Sequence, residues 1–249
     1  MKKHTPGLLI MVAVVLLGSC ESVANSGGAS TSPATTSTTI MPLGASRVEG
    51  NRPEYESFRY PLWERLVESG RDVDFVGTRY DEAVYPDVGG VGFDHDHQGV
   101  SGWTSGQIRE ELPGWLEEVG APDIVLFSSP GGNDALEGLP IDDAVANVNA
   151  IIDIVQETNP NATIVIEQMA PAKSNLMVGY LADFLEQMRQ EVSTIASDQT
   201  TGSSRVLAVD MFTGFSDDLL ADDVHYNQVG ASFVADRYYG VLEVVFESE

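Results

Sequence analysis

Only one cysteine, Cys20, occurs in the chain of 249 residues. That excludes an intramolecular disulfide and a dithiol redox centre, so the fold must rest on burial and hydrogen bonding. Basic residues are also scarce, 13 against 38 acidic ones, for a formal charge of −25. Such a chain repels nucleic acid and anionic membrane surfaces and disfavours phosphate binding. The acidic excess is spread along the sequence and reads as a solvated face, silent about substrate. No internal repeat and no Gly-rich dinucleotide or nucleotide-phosphate loop is present, so no cofactor is expected.

The first twenty residues have the order of an export signal: Lys2 and Lys3, an apolar run from Leu8 to Leu17, then small residues. The run is too short to span a bilayer comfortably. It ends in Leu17-Gly18-Ser19-Cys20, which resembles a bacterial lipobox and implies an exported lipoprotein, periplasmic or at the cell surface, anchored through lipid on Cys20. A plain secretory signal with an incidental cysteine is the competing reading. Residues 21–37, rich in Ser, Thr, Gly and Ala, bury too little apolar area to offset their ordering entropy and read as a tether. A folded domain is expected over 38–249.

Within that domain, apolar runs alternate with helical patterns, which predicts successive β–α units and a parallel sheet covered on both faces. Five strands are expected, at Thr39 to Leu43, Val73 to Val76, Ile124 to Ser128, Thr163 to Glu167 and Val206 to Val209. Helices are expected over Tyr60 to Ser69, Ile108 to Val119 with an interruption at Pro113, Asp142 to Glu157, Met177 to Ala196 and Gln228 to Phe246. In the third, Val145, Val148, Ile152 and Val155 repeat at helical spacing, and Asp142 or Asp143 is a candidate cap.

Reactive groups in such sheets gather where strand C-termini meet loops. Gly44-Ala45-Ser46-Arg47 follows the first expected strand, Gly131-Gly132-Asn133-Asp134 the third and Asp222-Asp223-Val224-His225 the fifth, with Gly99-Val100-Ser101-Gly102-Trp103 in between. In this order the blocks resemble those of the SGNH (GDSL-like) hydrolase superfamily. The resemblance implies a three-layer, flavodoxin-like α/β/α sandwich around a five-stranded parallel sheet, and a serine ester hydrolase without a cofactor. It departs from the pattern at position 45, where alanine replaces the usual aspartate.

The chemistry explains the residue types, because a serine hydroxyl needs a neighbouring base as it attacks. His225 is the candidate base: His4 lies in the signal, and His95 and His97 lie in a middle loop. Asp222, three positions earlier, can accept from one imidazole nitrogen and leave the other facing Ser46. The competing reading makes Asp222 a cap of the last helix. The resemblance assigns the oxyanion donors to the backbone amides of Ser46 and Gly102 and the side chain of Asn133; otherwise Gly102 is a turn residue and Asn133 a cap. Asp134 reads as structural, Asp223 as pointing elsewhere and Trp103 as half wall, half core.

Arg47 reads as a solvent-facing arginine or as a contact for a polar substrate group. Asp94-His95-Asp96-His97 could offer two histidines to one ion, but two ligands do not make a site and no metal is expected. Phe93 to Trp103, Met41-Pro42-Leu43 and Phe75-Val76-Gly77 are similar to the acetylxylan-esterase branch of the carbohydrate esterases, with Val100 where a histidine is usual. The implied substrate is a small acyl ester, acetyl first, on a glycan. The alternatives are a lipase, lysophospholipase or thioesterase on the same fold, and a catalytically silent glycan-binding lipoprotein.

Overall fold

The computed structural model describes residues 37–248. The signal ending at Cys20 and nearly all of the tether lie outside the described residues.

All five expected strands form, with bounds within one residue of expectation: β1 (Thr38–Gly44), β2 (Val73–Phe75), β5 (Ile124–Phe127), β6 (Thr163–Gln168) and β7 (Arg205–Asp210). Beside them lie two short strands read from sequence as loop, β3 (Arg79–Tyr80) and β4 (Asp96–Gly99). β1 pairs in parallel with β5, which continues to β6 and β7. The other edge of β1 is shared: β2 pairs with residues 38–40 and β4 with Leu43 and Gly44. β3 closes that edge antiparallel to β4. The parallel sheet is therefore as expected, with β3 and β4 as additions; their segment is too short and polar to show a strand's alternation.

Side chains alternate across the strands to build a core on each face. Ile40, Ile124 and Leu126 pack with Phe58 at the cap of α2 (Arg59–Glu68), Leu62 and Leu66 within it, and Val234, Tyr238 and Leu242 of α7 (Gln228–Glu247). Met41, Val125 and Phe127 pack on the other face. Their partners are Ile108 and Leu112 of α3 (Ser105–Val119), Val148 and Ile152 of α5 (Ile141–Thr158), and Phe184 and Met188 of α6 (Gly179–Gln199). The result is the three-layer α/β/α sandwich.

Three local expectations need correction. α3 starts at Ser105 because Thr104 and Gln107 form a capping box, a signature readable in the sequence. It also runs unbroken through Pro113: both that residue and Arg109, whose carbonyl loses its partner, are exposed residues of the helix. In α5, Pro140 holds the cap position, and Asp142 and Asp143 lie inside the first turn without capping bonds, where their charge favours the helix N-terminus. Two short helices, α1 (Ser46–Glu49) and α4 (Gly132–Glu137), were too brief for periodicity to show.

Candidate active site

The C-terminal ends of β1, β5 and β7 bring the three distinctive blocks to one edge. β1 runs directly into α1, whose first residue is Ser46. β4 lies against this turn at Gly99, where a Cβ would come within 2.5 Å of the Glu49 amide and 2.8 Å of Val48 Cβ, so only glycine allows the approach.

Ser46, His225 and Asp222 meet. The Oγ of Ser46 is 2.9 Å from Nε2 of His225, and Nδ1 of His225 is 2.8 Å from Oδ2 of Asp222. The other oxygen of Asp222 accepts from the amides of Val224 at 2.9 Å and His225 at 2.8 Å. Although partial burial pushes this carboxyl upward, those two amides and the ring pull it down to about 2, so it is a carboxylate at neutral pH. The capping alternative for Asp222 is replaced: Asn227 caps α7 through bonds of 3.0 Å from the amides of Val229 and Gly230. Asp223 contributes its carbonyl to the Lys173 amide.

The residues expected around an oxyanion are placed less uniformly. Asn133, in α4, lines one pocket with Ser46, and its Nδ2 donates to the Trp103 carbonyl at 2.7 Å. An amide nitrogen has two hydrogens, so one remains for another acceptor. Gly102 has φ of +79°, a conformation that favours glycine, and stands exposed in the loop after β4. The neighbouring Ser101 amide donates to Glu49 Oε2 at 2.7 Å, tying this loop to α1. Asp134, buried, accepts from the amide and hydroxyl of Ser105 and joins α4 to the start of α3. Half-buried Trp103 stacks on Trp115.

Arg47 overturns the solvent-facing reading, although it does line the pocket beside Ser46. It is only 8% exposed, and its guanidinium donates to the carbonyls of Val224 at 2.8 Å, Ala170 at 2.8 Å and Pro171 at 3.1 Å. Beneath it, buried Glu167 accepts from the amide of Ser129 at 2.8 Å and the hydroxyl of Tyr238 at 2.8 Å, and burial raises its carboxyl above the usual range. Ser129, a non-glycine residue at φ of +50°, is thus held in a strained conformation beside the site. Neither contact has a sequence signal, because each joins residues far apart in the chain.

The Asp94–His97 run is engaged within the protein. Buried His97 accepts from the Gly99 amide, and burial, reinforced by the charge of Arg59, lowers it to about 2 and keeps it neutral. The His95 ring is 2.5 Å from the Asp81 carbonyl, and Asp94 accepts from the amides of Phe75 and Asp96.

Two depressions flank α1. Beside Ser46 lies an apolar pocket of about 50 Å³, walled by Leu136, Met169, Ala172, Leu181 and Leu185. Beyond Glu49 opens a wider polar cleft of about 550 Å³ lined by Asn51, Arg52, Arg79, Tyr80 and Glu82.

Solved structures share this architecture. A carbohydrate esterase of family 3 from Talaromyces cellulolyticus aligns at 25% identity over 85% of this chain and 99% of its own, with a TM-score of 0.73. An acetyl esterase mutant with acetate ion aligns at 26% identity over the same shares, also at 0.73. A family 3 carbohydrate esterase from Clostridium thermocellum, at 24% identity over 85% of this chain and 98% of its own, shares the fold with a TM-score of 0.70. No curated relative matches the chain. The model of the GDSL-like lipase/acylhydrolase family matches residues 43–232, most of the described domain, and the chain therefore belongs to that family of carboxylic ester hydrolases.

Proposed function

We propose that this ester hydrolase removes small acyl groups, acetyl first, from carbohydrate by a Ser46–His225–Asp222 mechanism through an acyl-enzyme. The single observation that carries the reading is His225 lying between Ser46 Oγ at 2.9 Å and Asp222 at 2.8 Å. As Ser46 Oγ attacks the ester carbonyl, Nε2 of His225 takes its proton, and Asp222 holds the ring and stabilises the imidazolium. His225 then returns the proton to the departing alcohol. Water, deprotonated by the same nitrogen, attacks the acyl-enzyme and releases the acid. The free hydrogen of Asn133 Nδ2 and the amides of Ser46 and Gly102 are the donors assigned to the oxyanion.

Substrate class is supported by the two depressions and by the similarity to the carbohydrate esterases. The small apolar pocket beside Ser46, about 50 Å³, suits a short acyl group, and the polar cleft beyond Glu49 suits a hydroxyl-rich alcohol. The leucine walls also favour a second reading, a longer-chain esterase or thioesterase. Acetate release from acetylated oligosaccharides, alongside p-nitrophenyl esters from acetate to octanoate, tests both. Fastest turnover at acetate with acetate release from glycans is expected; a rate that climbs to octanoate with no release from glycans replaces the first reading with the second.

The proposal extends to location: export, with lipid on Cys20 as the only membrane attachment. Cys20→Ser should move the protein from the membrane to the soluble fraction and abolish labelling by a fatty-acid probe.

A further inference from the structure

Two hydrogen bonds hold the His225 ring at its edge, but both lie near the ring plane and leave its tilt open. The torsion that turns an imidazole about its Cβ–Cγ bond is broad, so an edge-held ring needs a further constraint. Tyr55 supplies a flat surface there: its ring lies parallel to that of His225, with centroids 3.9 Å apart and an interplanar angle of 13°.

The backbone locks this stack in register. Asn51 and Tyr55 bond to each other across a tight turn, at 3.1 and 3.2 Å. The next amide, Glu56, donates to the carbonyl of Tyr226, the residue after His225, at 2.8 Å. Ser57 Oγ then donates to the carbonyl of Val48, in the same short helix as Ser46, at 2.7 Å. A single turn is thus bonded both to the segment that carries His225 and to the segment that carries Ser46. Its one aromatic side chain falls on the imidazole.

We propose that Tyr55 is a positioning residue for His225. Its face holds the imidazole in the plane shared by Ser46 and Asp222, and shields one side of the ring from water. An aromatic face also attracts a cation, so the contact strengthens when His225 takes the proton of Ser46 and becomes imidazolium. An interaction stronger in the transition state than before it raises kcat and leaves KM alone. The proposal rests on the reading of His225 as general base.

The test compares Tyr55→Phe, Tyr55→Leu and Ser46→Ala with the wild type on p-nitrophenyl acetate; a fluorophosphonate counts active sites in the proteins that keep Ser46, and circular dichroism counts folded Ser46→Ala, so that misfolded protein does not enter kcat. Tyr55→Phe keeps the face and should stay within about twofold. Tyr55→Leu keeps bulk without a π face and should lose about 5- to 30-fold in kcat at unchanged KM. In the proton NMR spectrum, the low-field resonance of the His225 Nδ1 hydrogen bonded to Asp222 should persist in the Phe variant and broaden in the Leu variant. Wild-type kcat for Tyr55→Leu, a loss confined to KM, or equal losses for Phe and Leu would each overturn the inference. Full activity of Ser46→Ala would instead remove the reading beneath it, so the two failures are distinguishable.

Discussion

Arg47 donates through Nε to the carbonyl of Val224 at 2.8 Å, so the residue after Ser46 grips the residue before His225. The same guanidinium bonds Ala170 and Pro171, tying two loops to the helix that carries Ser46. Arg47→Met leaves these carbonyls without their donor, at a cost of about 2 kcal/mol or more. Thermal unfolding should fall by about 4 to 8 °C. Because an ångström of misplacement is costly in such a site, kcat should fall at least tenfold at temperatures where the variant is folded. Unchanged stability in a melting experiment would show that the carbonyls find water instead.

Ser46→Ala and His225→Ala should each lower kcat by about 10³-fold or more, and the double variant should be little worse than either, since groups that act as a unit are not additive. Losses that multiply in the double variant would mean that the two residues act separately.

Asn133→Ala should reduce kcat by about 10²-fold with KM nearly unchanged, because the oxyanion forms only after attack. A change confined to KM would make Asn133 a substrate contact whose bond to Trp103 merely orients it.

Asp222 links the site to pH. Its folded value of about 2 lies below the ordinary 3.8, so its ionised form is favoured in the fold. That stabilisation is complete above pH 3.8 and is lost as pH falls toward 2. The melting temperature of Asp222→Asn should therefore lie below that of the wild type at pH 6, with the gap closing by pH 2. A gap independent of pH would place the loss in the hydrogen bonds alone.

Ala45→Asp tests the departure from the family pattern. Ala45 lines the pocket beside Ser46, whose walls include Leu136, Met169, Leu181 and Leu185, so a carboxylate there enters largely apolar surroundings. An ion placed against such walls without a partner is unfavourable. The variant should melt lower and bind short acyl esters more weakly, with a smaller effect on kcat than Ser46→Ala. A stable variant whose kcat rises by orders of magnitude would show the natural chain to be impaired and would favour the glycan-binding alternative.

Much of the architecture was legible because it is local or periodic. Four of the five parallel strands contain an uninterrupted apolar run, β2 being broken by exposed Asp74, and the stripe of Val148, Ile152 and Val155 is buried as its spacing predicts. Asp222-x-x-His225 carries its geometry within four residues, since an Asp at that spacing can bond two following amides and the ring together. Ser46 at the end of β1 and Asn133 after β5 follow from where a parallel sheet presents its loops.

What the chain could not disclose alone depends on contacts between distant segments. Arg47 reads as an exposed cation until Val224, 177 residues away, comes within reach of its guanidinium. Tyr55 is an unremarked turn residue until the bond from Glu56 to Tyr226 lays its ring on His225. β4 is a polar loop until β1 offers it an edge. Layer order and reactive groups can be read along the chain because periodicity and short-range spacing act there. What braces those groups comes from the folded arrangement, because a hydrogen bond or a stacked ring depends on proximity in space, which spacing along the chain does not encode.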